Sequence, residues 1–407
     1  MQGGCSKCNK AWSWSRLKEA STNVCTECYK VLRELKDCAS NLSCVSNSPK
    51  KSASSKSRTE EMMSKPLGSG SAPGQQPLRQ NVGAAMPPLK NVPCSKNPGH
   101  PRFLPVRRLT ADSLPRDFRS PHLADIIRLK GEETVRLTVT WTSPDRPQGF
   151  GYEELKGTTT IRRGSGTAFV MNMGKTQRCP STTCSRNLRP HQVSGVFKVV
   201  TAAHVVFDDT EAGNTTVDFF LDDERETGNV VIAQGVKITS VDVENNRSVM
   251  ECITHDLQLY DKLQHFRERK DRLLSEIPTK QSLPSTANAG ADAVSTGLAV
   301  STDNYLTILI SHPHGGTKHI SFGELQKVTR SGSSVNVKDM PPLVRCTMNY
   351  STPTCPGSGG GTVNVFNKLG QCVAFAPHFG VSESGTNKSG AGWIRESELT
   401  SATSLKK

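Results

Sequence analysis

Three short segments hold residues that could carry out nucleophilic chemistry. Val199–Val206 reads VVTAAHVV, a β-branched run that ends in small residues and delivers His204. His255–Leu259 reads HDLQL and carries Asp256 at the head of an alternating run. Thr354–Val363 reads TCPGSGGGTV, a glycine-rich turn around Ser358. A histidine, a carboxylate and a serine hydroxyl on separate turns can act together. The imidazole takes the hydroxyl proton, and the carboxylate fixes the tautomer and stabilises the imidazolium. A second group, Cys5, Cys8, Cys25 and Cys28, has the pattern C-x2-C-x16-C-x2-C. Each C-x2-C turn brings two thiolates to one ion, and four soft thiolates suit tetrahedral zinc. The second pair opens a predicted helix, Tyr29–Asp37, with Leu32 and Leu35 on one side. So short a segment buries little core, so zinc would supply most of its folding energy.

The elements that must position the first three segments read as strands. Glu133–Trp141, Gly166–Val170, Val196–Thr201, Val217–Leu221, Val230–Ala233, Leu306–Ile310 and Gln371–Ala376 are short, apolar and rich in β-branched residues. Many alternate with period two, which predicts an all-β domain of sandwich or barrel type. The charged stretch Leu263–Ile277 suits a helix, and Pro278–Gly297 reads as a loop joining two halves of the domain.

Composition divides the 407 residues into three regions: 1–45, rich in cysteine; 46–108, rich in Ser, Pro, Gly and Lys; and 109–400, where the strands fall. The middle region holds too few large apolar residues to offset the entropy of ordering and is expected to be a disordered linker. Of the net charge of +14, residues 109–407 carry only about +2. Residues 1–45 hold seven Lys and Arg against four acids, and residues 46–108 hold eleven against two. A basic stretch of this kind suits either nucleic acid, through residues 1–108, or plain solvation, since no aromatics are interleaved with its charges. No run of about 18 apolar residues predicts a membrane span, so no membrane partner is expected. Met1–Lys10 lacks the apolar core of a secretory leader. The expected location is intracellular, cytoplasmic or nuclear, where the thirteen cysteines stay reduced. Cys179 and Cys184, in the loop Lys175–Pro190, are read as a pair, metal ligands or free thiols; Cys252, Cys346, Cys355 and Cys372 are read as apolar strand residues.

The segment TAAH resembles the histidine signature of trypsin-like, chymotrypsin-fold serine proteases, and the order His, Asp, Ser is theirs. Arg163–Val170 (RGSGTAFV) is similar to the opening strand of that family's first barrel. Ser311–Glu324 (SHPHGGTKHISFGE) is similar to a strand, turn and strand of its second barrel. The likeness is greatest to the stress-protease and glutamyl-endopeptidase branches. It implies two six-stranded antiparallel barrels, at about 130–262 and 298–398, with His204, Asp256 and Ser358 in the cleft between them. The cysteine segment resembles treble-clef or ribbon zinc modules.

The glycine-rich turn departs from the family pattern, Gly, any residue, Ser, Gly. With Ser358 as nucleophile, Pro356 takes the first oxyanion position and has no N–H to donate. With Gly357 as the oxyanion donor, Gly359 stands where the nucleophile should be and no hydroxyl exists. The apolar Val363 and the upstream Cys355 fit the second register. Ala374–Gly380 (AFAPHFG) resembles the wall of the family's first specificity pocket. By that likeness His378 and Thr354 would bind a Glu or Gln side chain of a peptide. Three functions follow: a serine endopeptidase, a pseudoprotease that binds peptides as an adaptor, or a nucleic-acid-associated protein that uses its zinc module and basic linker.

Overall fold

The computed structural model describes residues 87–170, 177–180, 191–193, 195–225, 229–276, 305–336, 341–382 and 384–401, with the backbone of two paired short strands, Gln2–Gly4 and Ala11–Ser13. Cys5, Cys8, Cys25 and Cys28, most of the expected linker and the loop at 278–297 lie outside the described residues.

Residues 87–108, assigned to the linker from composition, are instead a strap on the folded body. Its apolar residues Leu89, Phe103 and Val106 are buried. Its only strand, β1 (Leu104–Pro105), pairs with the second barrel. Helix α1 (Pro121–Glu133) follows. Its start is set by Pro121 in the first turn and by Ser120, whose side chain accepts the Leu123 N–H. Leu123, Ile126 and Ile127 pack with Leu306, Ile308 and Ile310.

The first barrel is closed and consists of β2 (Thr134–Val139), β3 (Arg162–Val170), β4 (Gly195–Thr201), β5 (Thr215–Phe219), β6 (Val231–Asp242) and β7 (Arg247–Thr254). Neighbours run in the order β6-β7-β4-β3-β2-β5, all antiparallel, and β5 closes on β6. Val135, Leu137 and Val139 alternate inward along β2 and meet Phe197 and Val199 of β4 and Val217 and Phe219 of β5. Between His204 and β5, the short helix α2 (Asp209–Gly213) is capped by Asp208. A long helix, α3 (Leu257–Glu276), follows and packs Leu259, Tyr260 and Leu263 against the barrel core.

The second barrel is built from β8 (Tyr305–Ser311), β9 (His319–Val335), β10 (Leu343–Tyr350), β11 (Thr362–Asn367), β12 (Cys372–Val381), β13 (Asn387–Ser389) and β14 (Gly392–Arg395). A ring closes through β8-β9-β10-β14-β12-β11 and back to β8. Alternation along β8 sends Leu309 into the ring with Val363, Val365 and Val373, while Leu306, Ile308 and Ile310 face α1. The short helix α4 (Glu396–Ser401) ends the described chain. Two six-stranded antiparallel rings side by side are consistent with the chymotrypsin-like fold expected from the sequence.

Candidate active-site cleft

His204 sits just beyond the end of β4, in a turn of small buried residues. Ala202 and Ala203 are fully buried, and His204 is 7% exposed. Its hydrogen-bonding partner is Asn246, in the turn that leads into β7, and not Asp256. The Asn246 Oδ1 accepts the His204 backbone N–H at 2.8 Å, and the Asn246 Nδ2 lies 2.8 Å from the His204 Nδ1. The first contact fixes the orientation of the amide. Its NH2 must therefore face Nδ1, and an NH2 only donates. Nδ1 is the acceptor, and the ring proton is on Nε2.

Asp256 stands elsewhere. It caps α3, accepting the Leu259 N–H at 3.0 Å on Oδ1. Strand register separates it from the cleft: Ser248 of β7 pairs with Thr201 near His204, and Thr254, two residues before Asp256, pairs with Gly195 at the opposite end of β4. Six residues of strand span about 20 Å. The expected alternating run at 255–259 is instead the lead into α3, which begins at Leu257.

Behind His204 lies a buried ionic cluster that sequence reading missed. Glu211 of α2 accepts from Arg146 Nε at 2.7 Å and pairs with Arg162 at 3.1 Å. All three side chains are at most 2% exposed. The guanidiniums also donate to the chain at the His204 turn, Arg146 to the His204 carbonyl at 3.0 Å and Arg162 to the Val205 carbonyl at 2.9 Å. Burial, and secondarily the Arg146 charge, push the His204 imidazole down to about 4. His204 is thus a neutral ring at pH 7. The rings of Tyr152 and Phe379 flank it, with centroids 6.3 and 6.0 Å away.

The turn after Cys355 settles onto the first barrel through Ser165 of β3. The Ser165 N–H donates to the Gly359 carbonyl and its Oγ–H to the Gly357 carbonyl, each at 2.8 Å. Ser358 is fully buried and faces away from the imidazole. Its Oγ accepts from Ser311 Oγ at 3.0 Å and from the Cys355 N–H at 3.3 Å. The residue that faces His204 is Gly359: a Cβ built there would lie 2.5 Å from the His204 Nε2. Gly360 follows with φ +79°, and a Cβ there would lie 2.0 Å from the Thr201 Oγ1, so only glycine fits. Among the described residues, no hydrogen bond joins Ser358 to His204, and the N–H groups of Gly357 and Gly359 have no acceptor.

Thr354 leads into this turn, and the His378 backbone bonds Gly360 and Gly361 within it. The Tyr350 hydroxyl lies 2.7 Å from the His378 Nδ1. Burial holds the His378 pKa far below the usual imidazole value. The strap adds a cation that the sequence did not predict here. Lys96 donates to the Thr354 Oγ1 at 2.6 Å and to the Asn387 Oδ1 at 3.2 Å, and Thr354 itself bonds Asn387 at 2.9 Å. Burial lowers the Lys96 pKa from its ordinary value. Past its last pair with β11, Thr362–Pro377, β12 bonds the turn through the His378 backbone, to the Gly360 N–H and the Gly361 carbonyl, and continues to Val381; among the described residues its strand partner there is β13.

Among the described residues, two side-chain groups could hold a metal. Cys94, His100, His314 and Cys355 place their ligand atoms within 4.8 Å of one another, as do Cys179, His191 and His255. Cys355, expected to be a simple apolar strand residue, belongs to the first. Its members are scattered over some 260 positions, a separation no local spacing rule detects. Among the described residues, no helix is long and apolar enough to cross a membrane.

No protein-family model matches this chain, and no curated protein matches its sequence. Among solved structures, it is similar to the active form of the Rv3671c protease from M. tuberculosis, at 14% identity with a TM-score of 0.30, covering 68% of this chain and 82% of that one. It is also similar to the inactive form of that protease, at 13% identity and TM-score 0.29, covering 68% and 90%. The HtrA-type protease AlgW with a decapeptide matches at 13% identity and TM-score 0.28, covering 69% of this chain and 66% of that one.

Proposed function

We propose that residues 109–400 are a chymotrypsin-like domain that has lost hydrolysis and kept a peptide-binding cleft. The observation that carries this reading is Gly359 opposite the His204 Nε2, where a nucleophile's side chain would stand, with Ser358 turned toward Ser311. Three further features support it. The Asn246 amide leaves the proton on Nε2, the atom that must accept one from a nucleophile. Asp256 is committed to a helix cap. The buried guanidiniums oppose the imidazolium that catalysis would form. In a serine protease, replacing the orienting carboxylate by an amide alone costs about 10⁴ in turnover.

A peptide would lie along the flank of β12 beyond His378, adding one strand to the second barrel. Its side chain at the pocket would meet His378, Thr354 and Lys96. Lys96 adds a positive charge beside Thr354, so the pocket favours Glu over Gln. The zinc module of residues 1–45 remains part of this proposal as a structural unit bound through Cys5, Cys8, Cys25 and Cys28.

A fluorophosphonate probe tests the loss of hydrolysis. The wild-type chain is expected to stay unlabelled. Labelling of Ser358 that disappears in His204→Ala would overturn the proposal. Fluorescence anisotropy with extended peptides tests the cleft. Glu peptides should bind more tightly than Gln peptides, and Lys peptides should not bind.

A further inference from the structure

We propose that Cys94, His100, His314 and Cys355 bind one zinc ion that ties the strap to the glycine-rich turn of the cleft. The assignment stands on the geometry of these four residues and does not rest on whether the cleft is catalytic.

Zinc–ligand bonds of 2.3 Å to sulfur and 2.0–2.1 Å to nitrogen in a tetrahedron predict S···S of about 3.8 Å and N···N of about 3.3 Å. The Cys94 and Cys355 sulfurs are 3.7 Å apart, and the His100 and His314 Nε2 atoms are 3.0 Å apart. A disulfide would need about 2.05 Å between the sulfurs. All four side chains converge although they come from three separate segments: two from the strap, one from the turn after β8 and one from the cleft turn.

Donors face both sulfurs. The Asn97 backbone N–H donates to the Cys94 Sγ at 3.3 Å, and its side-chain amide donates to the Cys355 Sγ at 3.2 Å. Lys96 brings a positive charge near both sulfurs. Such outer contacts hold ligands in place and offset thiolate charge. The two histidines both have φ of +54°, a conformation uncommon for any residue but glycine. Backbone strain at both positions of a buried imidazole pair is what a shared ligand would hold in place. Four protein ligands, two of them sulfur, leave no open coordination position, so the ion is structural.

The turn Cys94–His100 carries Lys96 between its two ligands, so the same ion fixes Lys96 against Thr354. When the metal binds, the two thiols release their protons to solvent and no redox step occurs.

The test uses the full chain with Cys5, Cys8, Cys25 and Cys28 all replaced by Ser, so that the N-terminal cysteines cannot contribute. Titrated with Co²⁺, it should show a tetrahedral spectrum with a thiolate charge-transfer band. Both His100→Ala and His314→Ala should lose one bound equivalent and that band. Unchanged stoichiometry and spectrum in both variants would overturn the site. A second measurement needs no variant. In the wild-type chain, alkylation of Cys94, read by peptide mass spectrometry, should speed up at least tenfold when a chelator is added. Equal rates with and without chelator, or a Cys94–Cys355 disulfide in freshly purified protein, would also overturn it.

Discussion

Asn246 holds His204 with both ends of one amide, the oxygen on the backbone N–H and the nitrogen on Nδ1, each at 2.8 Å. Asn246 is itself fully buried and has φ of +48°, so the turn before β7 is shaped around this contact. The pairing leaves the imidazole well oriented but with its proton on the wrong side for a base.

On the proposed reading, supplying the chemistry should take two changes. Gly359→Ser supplies a hydroxyl opposite Nε2, although its Cβ requires the ring to shift from a 2.5 Å approach. Alone, it should react only slowly with a fluorophosphonate, because Nε2 still carries a proton. Adding Asn246→Asp should move that proton to Nδ1 and raise the labelling rate by about 10³–10⁴. Equal rates for the single and double variants would show that the amide does not set the tautomer.

The depressed pKa of His204 has a definite sign. Its folded value is about 4, below the value of about 6.5 for an unfolded histidine. Between these values the unfolded chain binds a proton that the folded chain does not, so stability falls as pH drops from 6.5 toward 4. A gap of this size is worth on the order of 3 kcal/mol for the one ring. The ¹⁵N resonances of His204 should show a neutral Nε2–H tautomer down to about pH 5. Titration of this ring near pH 6.5 would contradict the burial argument. Asn246→Asp should raise the midpoint by placing an anion beside the ring.

Glu211→Gln should be the most destabilising conservative change near the cleft. It leaves the Arg146 and Arg162 guanidiniums buried without their anion, and breaking such a group costs about 3–5 kcal/mol. Urea unfolding measures the loss. A variant within 1 kcal/mol of wild type would mean that water reaches the cluster.

At the pocket, Lys96→Met should weaken the binding of a Glu peptide by roughly tenfold or more, the usual value of a charge-assisted hydrogen bond. The same change should leave a Gln peptide less affected. Anisotropy titrations at two salt concentrations check both points. A salt-independent affinity for the Glu peptide would remove Lys96 from the recognition.

Much of this arrangement is legible in the sequence because it depends on local patterns. The small residues before His204 announce a tight turn beyond a strand. Period-two runs such as Leu306–Ile310 announce β8 and place the second barrel. The spacing from Gly359 to Val363 already favours the register in which glycine faces the imidazole. Asp256 was misread because HDLQL alternates over five residues, whereas its continuation does not. The buried residues Leu259, Tyr260 and Leu263 follow a helical spacing, and an aspartate just before such a run is a helix cap. Asn246 offered no signal to a search for carboxylates. The strap was hidden by its composition: Pro, Gly and Lys suggest a linker, and only Leu89, Phe103 and Val106 oppose that suggestion. The Arg146–Glu211–Arg162 cluster and the four residues around Cys355 join distant segments, so only tertiary packing brings them together.

Ser165 belongs to the wall of one barrel, yet it accepts the His312 N–H and donates to two carbonyls of the turn carried by the other, at Gly357 and Gly359. A single serine thus rivets the two halves of the molecule at the floor of their groove. The barrels cannot swing apart there like jaws without severing three hydrogen bonds at once. A peptide in the proposed cleft would therefore have to fit around exposed side chains such as Phe379, with the Ser165 contacts intact.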